Sequence, residues 1–223
     1  NKGKNFSHIY SKNYKKRVDK IYLPKVKFMK QVLKKKIKVL DFGCGAGHFV
    51  KACEVMNVVA EGVDPNYELI KTGRKFINKN NILNLNFEES FLKMLNTNAD
   101  VISLIFVLEH LEHPEKVFRT FVASNAQYLY ISVPLFSLTS LMQGSFNRIY
   151  PRQLGGPHTH LYTKESLEYI AKKNNFKIIG EWWFGADVVD LFRHISVTLE
   201  SESNSSRELF KHKFLPLINA LQH

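Results

Sequence analysis

Cysteine is scarce in this chain. Two residues, Cys44 and Cys53, in 223 make neither a disulfide framework nor a cysteine-rich zinc site. Both read as free thiols of a reducing compartment. Long apolar runs are missing too. The longest nearly apolar stretch, "VISLIFVL" at 101–108, is far too short to cross a bilayer. No apolar segment follows the charged N-terminal stretch, so no secretory signal is visible and a cytoplasmic protein is expected. No internal repeat and no second core are evident. What is present is ordinary for a globular protein: 44% hydrophobic and 23% charged residues, in a length that suits one α/β domain with a sizeable core.

Acidic residues are nearly absent from the first 38 positions. That stretch holds thirteen Lys, Arg17 and a single acid, Asp19, so it accounts for the whole net charge of +12 and leaves the remainder near −1. A basic arm of this kind contacts nucleic acid or an anionic membrane, or is simply a solvated face in a Lys- and Asn-rich chain. Phe6, Tyr10, Tyr14, Tyr22 and Phe28 recur along it at near-helical spacing, which suits packing as readily as base stacking.

Strands and helices alternate after the arm. "IKVLDF" (37–42) predicts a buried strand and "GHFVKACEVM" (47–56) a helix. "VVAEGVD" (58–64) predicts a second strand, and Pro65 a first helical residue after it. "LNLNFEE" (83–89) alternates as a third strand, and "ADVISLIFV" (99–107) is apolar enough to be central. Pro114 opens a helix with Val117, Phe118, Phe121 and Val122 on one face, and "QYLYISVP" (127–134) is a fifth strand. Residues 135–162 read as a long insertion of lid or substrate-loop type. Thr163 is a candidate N-cap for the next helix. "FKIIGEWWF" and "DLFRHISVTLE" read as two last strands, with Trp182 and Trp183 on alternate faces of the first. "SSRE" (205–208) has capping-box spacing before a final apolar pattern that Pro216 interrupts. Such alternation means a parallel sheet with helices on both faces, its ligand beyond the carboxyl ends of the strands.

The chemistry-bearing residues follow strands. "DFGCGAGHF" places Gly43, Gly45 and Gly47 in a strand-to-helix turn. Such a turn admits a ligand close to the backbone, while the next helix aims its N–H groups into the same space. The G-x-G-x-G spacing differs from the G-x-G-x-x-G of dinucleotide sites. Asp64 ends the second strand, where an acid accepts from ribose hydroxyls or caps the helix that follows. Both NAD-binding folds and another cofactor class share that placement.

The set "VLDFGCGAGHF", "GVDPN", "EES", "DVISLIFVLEHLEHPE" and "YISVP" resembles class I S-adenosylmethionine-dependent methyltransferases. The subgroup most similar contains ubiquinone-biosynthesis O-methyltransferases and sugar and natural-product methyltransferases. The resemblance covers about residues 35–185 and is carried most strongly by "LEHLEHP" after the fourth strand. It implies a Rossmann-like, mostly parallel sheet of seven strands with the last antiparallel. The chain is accordingly expected to divide into a basic helical arm or lid at 1–34, a methyltransferase domain at 35–200 with 135–162 as a substrate-lid insertion, and a helical tail at 201–223, the arm and tail matching the family much less well. By resemblance, Asp41, Gly43, Gly45 and Gly47 surround the methionine part of S-adenosylmethionine, Asp64 binds its ribose, and Glu89 and Ser90 flank its adenine. The family usually has Asp before a small residue where this chain has Glu89. Ile105 and Phe106 line the methionine moiety.

Methyl transfer from a sulfonium asks for alignment, exclusion of water and removal of a proton from the acceptor; no metal ion is called for. Histidines suit the proton step. His158 and His160 in "GPHTHLY" are two residues apart and point to one side of an extended segment, and His110 and His113 follow the fourth strand. His160 is the first candidate, then His158 and His110; Glu109 could orient His110 or bind the acceptor. The leading reading is methyl transfer to a hydroxyl of a small molecule. Against it stand an RNA methyltransferase using the basic arm, an NAD-dependent oxidoreductase, and a non-catalytic cofactor-binding module. No Asn/Asp-Pro-Pro-Tyr-like tetrad follows the fourth strand, which disfavours base amino methylation.

Overall fold

A computed structural model describes residues 13–137, 140–141, 158–183, 204–206, 208–209 and 212. The chain divides into two compact units, Asn1–Val133 and Pro134–His223. In the first unit, α1 (Tyr14–Arg17), a π-helical turn (Val18–Tyr22) and α2 (Leu23–Leu33) run on from one another. Then come β1 (Lys38–Phe42), α3 (His48–Val55), β2 (Val59–Asp64), α4 (Tyr67–Gly73), β3 (Ile82–Asn84) and α5 (Phe87–Leu95). The unit ends with β4 (Val101–Ile105), α6 (Pro114–Ala123) and β5 (Tyr128–Ser132).

The five strands pair in the order β3-β2-β1-β4-β5, and every pairing is parallel. The chain reverses its direction of growth between β1 and β4, which places the ligand crevice at their carboxyl ends. Every residue of β4 is buried, as a central parallel strand with both faces covered requires. Val39, Val101 and Ile105 join a core with Phe49, Ala52 and Cys53 of α3. On the other face Phe42 meets Phe91 of α5 at 5.1 Å between ring centroids, and Val117, Phe118 and Phe121 of α6 are buried. Val122, expected on that buried face, is exposed.

The N-terminal helical run is built into this core. Tyr14, Val18, Tyr22, Val26 and Met29 are all buried. Steps of four residues drift about 40° per step around a regular α-helix, which would carry the stripe off the core. The π-helical turn, in which the Leu23 N–H donates to the Val18 carbonyl, takes up more residues per turn and keeps the stripe aligned. The basic residues divide accordingly: Lys15, Lys16, Lys20, Lys27 and Lys30 are exposed, whereas Lys25 is buried.

Several expected boundaries move. Pro65 is not the first helical residue; the helix starts at Tyr67, with the Asn66 side chain accepting the Leu69 N–H as N-cap. The third strand stops at Asn84 instead of running to Glu89, because Asn86 and Glu89 form a reciprocal capping box that starts α5. The seven-stranded sheet with an antiparallel last strand is corrected to five strands, all parallel, among the described residues. Residues 176–183 form no strand, and Ile178, Ile179, Trp182 and Trp183 are all exposed, so among the described residues neither face of the segment packs as a strand face would. The expected strand at 190–200 and the pattern around Pro216 lie outside the described residues, as does most of the 135–162 insertion.

In the second unit, Leu135 bridges Tyr162 in parallel fashion, and the Phe136 N–H donates to the Tyr162 carbonyl. Helix α7 (Lys164–Lys173) starts on a capping box of Thr163 and Ser166, so Thr163 is the N-cap its sequence position indicates.

Replacing the buried methionine of the N-terminal helix, Met29→Ala, is expected to lower unfolding free energy by about 2–5 kcal/mol in chemical denaturation. The exposed neighbour Lys27→Ala should change it by no more than about 0.5 kcal/mol. Equal, negligible effects of both would mean that the helix is not part of the cooperative unit.

Candidate active site

The turn from β1 to α3 is tied to β2 twice over by backbone: the N–H groups of Gly43 and Cys44 both donate to the Val63 carbonyl, at 2.9 and 3.0 Å. Gly43, Gly45 and Gly47 all have φ between 56° and 74°, the left-handed region that side chains avoid. They differ in what surrounds them. A Cβ on Gly47 would lie 2.5 Å from Ile77 Cδ1 and 3.1 Å from Ile82 Cγ2, so these side chains pack directly on this glycine. A Cβ on Gly45 would meet only Leu69 Cδ1, at 3.8 Å. Gly45 is thus the position where the backbone faces open space.

Asp64, the last residue of β2, closes this space from the other side. Its Oδ2 accepts the Gly45 N–H at 2.8 Å and its Oδ1 accepts the Asn66 N–H at 2.8 Å. Burial raises its pKa, and the two backbone hydrogen bonds oppose that rise. A carboxylate oxygen has two lone pairs, so each oxygen keeps acceptor capacity after its backbone bond. Two such oxygens beside an approachable backbone fit a vicinal diol.

Asp41 lies one strand over, opposite Gly62 and Ser103 in the sheet register. It is buried, and Ser103 Oγ donates to Asp41 Oδ1 at 2.7 Å. Burial pushes the Asp41 carboxyl up to about 7; the Ser103 hydrogen bond opposes this and the nearby Asp64 charge adds to it. Two acids close enough to feel one another create a site that favours a cationic ligand group.

At the end of β4, Ile105 is buried and Phe106 adopts φ 61°. That backbone is uncommon for an aromatic residue. It is held by the Phe106 N–H donating to the carbonyl of Ser132, the last residue of β5, at 2.8 Å. A 3-10 turn (Leu108–His110) follows, with His110 and His113 exposed and Glu109 buried. Burial pushes Glu109 up to about 7.

The structure therefore brings Asp41, the three glycines, Asp64, Ile105 and Phe106 to the carboxyl ends of β1, β2 and β4. Glu89 and Ser90 fall inside the first turns of α5 rather than in a loop. The Glu89 carboxylate accepts the Asn86 N–H, and Ser90 Oγ donates to the Leu85 carbonyl. His158 and His160 belong to the second unit. There the Thr159 hydroxyl lies 2.9 Å from His160 Nδ1, and the His160 ring stacks near Tyr162 with centroids 6.1 Å apart.

Sequence reasoning overlooked the buttress behind the glycine turn. The Tyr14 hydroxyl donates to the Ala46 carbonyl at 3.1 Å. Its ring stacks on His48 at 4.3 Å and on Phe76 at 4.0 Å, and Tyr22 lies 5.3 Å from His48 on the same stack. Burial, aided by the Arg17 charge, pushes His48 down to about 3, so it stays a neutral ring. The four-residue spacing of Tyr14, Val18, Tyr22 and Val26 was the available signal.

A family model described as "Methyltransferase domain" matches residues 14–181. The chain belongs to the methyltransferase-domain family and is a methyltransferase. Solved structures with the same fold include a SAM-dependent methyltransferase from Archaeoglobus fulgidus (20% identity, 78% of this chain and 84% of that one, TM-score 0.53). Another is a SAM-dependent methyltransferase, possibly acting on histamine nitrogen, from Thermotoga maritima (15% identity, 77% and 81%, TM-score 0.52). A third is the plantazolicin methyltransferase BpumL in complex with a pentazolic desmethylPZN analog and SAH (19% identity, 89% and 86%, TM-score 0.52). No curated protein matches the chain.

The raised Asp41 carboxyl has a signed consequence. Its folded-state value of about 7 lies above its ordinary 3.8, so the folded protein holds this proton more tightly than the unfolded chain. The stability contributed by this proton should fall as pH rises from about 4 toward about 7 and level off beyond. Asp41→Asn is expected to remove that component from denaturation curves taken across the range, leaving the parallel contributions of Glu109 and Asp64 and the opposing one of His48, whose lowered value makes its contribution rise with pH.

Proposed function

We propose that the chain transfers the methyl group of S-adenosylmethionine to a small-molecule acceptor, a hydroxyl by preference, of the kind used by ubiquinone-type, sugar and natural-product O-methyltransferases. The observation that carries this reading is the clasp between Gly45 and Asp64. An open-faced glycine stands beside a buried carboxylate with acceptor capacity to spare, at the switch point of a parallel sheet. S-adenosylmethionine supplies an electrophilic methyl on a sulfonium; the protein aligns, desolvates and deprotonates.

The roles follow from the chemistry of each group. Asp64 receives the two ribose hydroxyls, one on each oxygen. Asp41 and the backbone of Gly43, Gly45 and Gly47 hold the methionine end, where the donor's ammonium would draw Asp41 to its ionised form. The first turn of α5, with Glu89 and Ser90, borders the adenine. Ile105 and Phe106 wall the methionine chain and keep water from it. His160, ahead of His158 and His110, takes the acceptor's proton; Glu109 holds the acceptor.

A second reading, methylation of RNA, rests on the exposed face of the N-terminal helix, where Lys15, Lys16, Lys20, Lys27 and Lys30 line the solvent side. Reversing these charges leaves the core intact. If that reading held, wild-type protein would retain RNA in a salt-dependent manner and the charge-reversed protein would not.

Calorimetry with S-adenosylmethionine tests the main reading. The wild type should bind it more tightly than any nicotinamide dinucleotide, and Asp64→Ala should weaken binding by about 1–3 kcal/mol, since buried hydroxyls lose their acceptor. Unchanged affinity would remove Asp64 from the site. His160→Ala should reduce turnover on an acceptor more than it reduces donor affinity; unchanged turnover would reassign the proton step.

A further inference from the structure

Lys25 is 1% exposed, on a helix whose other lysines mostly face solvent. Its Nζ donates to Ser132 Oγ at 3.0 Å and lies 4.9 Å from the centroid of the Phe106 ring. Ser132 ends β5, and Phe106 follows the last residue of β4. The Tyr130 hydroxyl donates to the Lys25 carbonyl at 3.2 Å, which fixes this helix against β5. The amine therefore sits over the carboxyl ends of two adjacent strands, where ligands of such sheets bind. A methionine would fill the same volume without the cost of desolvating a charge. The left-handed backbone of Phe106 beneath it is the kind of local strain that accumulates at functional positions.

We propose that Lys25 is a charge switch of the donor site, unprotonated while a sulfonium donor is bound and protonated when the site holds the neutral demethylated product. This rests on the reading above that Ile105 and Phe106 border the sulfur of S-adenosylmethionine. Two positive charges held close together away from water repel strongly. The sulfonium cannot give up its charge, but an amine can. Donor binding thus expels the lysine's proton, and by reciprocity a protonated lysine weakens donor binding while leaving the uncharged product unaffected. Burial has already brought Lys25 down to about 7, so the proton is lost at little cost near neutrality.

The charges balance over one turnover. The S–CH3 bond breaks with its electron pair left on sulfur, and a lone pair of the acceptor oxygen forms the new bond to carbon. The acceptor's O–H proton passes to His160 and from there to bulk water, and Lys25 takes up one proton from bulk water. Positive charge inside the site passes from sulfur to nitrogen, and the total is unchanged. Other titratable groups on the surrounding elements are Asp19 and Tyr22 on the same helical run, Cys53 and His48 on α3, Asp41 on β1, Glu109 after β4, and Tyr130 on β5. All of them persist when Lys25 alone is replaced.

The test is calorimetric titration with S-adenosylmethionine and with S-adenosylhomocysteine from about pH 6 to about pH 9, in buffers of different ionisation enthalpy so that proton release is counted. In the wild type the ratio of donor to product affinity should rise roughly tenfold through neutrality, with more protons released on binding the donor than on binding the product, because the ammonium that both ligands carry ionises Asp41 in either case. Lys25→Met should remove this component and keep product affinity, which also shows that the variant is folded. Lys25→Arg, which cannot lose its proton, should hold the donor weakly at every pH. The donor's own amino and carboxyl groups titrate equally in all three proteins, so only the difference between them counts. A wild-type ratio that follows the same pH course as Lys25→Met overturns the switch. Equal proton release by the two ligands in the wild type does so without any variant. If the wild type binds neither ligand, the donor assignment itself fails, and the switch with it.

Discussion

The N–H···O contact from Gly45 to the Asp64 carboxylate at 2.8 Å joins the two halves of the candidate site, alongside the two backbone bonds from Gly43 and Cys44 to Val63. It requires a turn that bends back on itself in left-handed backbone, and a neighbouring strand that ends in an acid at the same height. The first condition explains the alternating glycines. The second explains why β1 and β2 must be parallel and in register, with Asp41 opposite Gly62 and Phe42 opposite Val63. Much of the rest of the first unit braces this arrangement. Ile77 and Ile82 close over Gly47, and the Tyr14 hydroxyl holds the Ala46 carbonyl from behind.

The bracing comes from a part of the chain whose composition points elsewhere. A stretch with thirteen lysines before position 39 looks like a solvated arm, yet from Tyr14 to Met29 its aromatic and aliphatic stripe is part of the core, Phe6 and Tyr10 lying outside the described residues. Both properties belong to one helix because charge and burial are sorted by face. The π-helical turn makes the sorting possible, since the buried positions recur at four rather than 3.6 residues. It leaves one lysine on the wrong side of the divide, and the site's electrostatics turn on that displaced amine.

Period and punctuation carried most of the sheet. The apolar runs at 37–42, 58–64, 99–107 and 127–134 all contain strands, because parallel strands covered on both faces read as nearly continuous apolar runs, interrupted here by Asp41 and Ser103, which hydrogen-bond to each other. Asp64 and the glycines were legible because each ends an apolar run, where ligand-binding residues of such folds collect. The misreading at 83–89 has a local cause. Asn86 and Glu89 satisfy one another's backbone, a helix signal that outweighs the alternation of Leu83, Leu85 and Phe87. At 176–183 the apolar pairs Ile178-Ile179 and Trp182-Trp183 suggested a strand, and all four side chains are exposed. Lys25 carried no signal of any kind, since nothing in a run of lysines marks the one whose amine will meet Phe106 and, 107 residues on, Ser132.

The distribution of aromatic side chains divides the molecule optically. Its two tryptophans, Trp182 and Trp183, both lie in the second unit, where Trp183 sits beneath the Lys164 ammonium at 5.6 Å and donates to Glu181. Tyr14 and Tyr22, stacked about His48 behind the glycine turn, lie in the first. Red-edge excitation of the indoles therefore reports on the second unit alone, with no label added. Tyrosine dichroism gathers signals from both units, since Tyr162 and Tyr169 belong to the second.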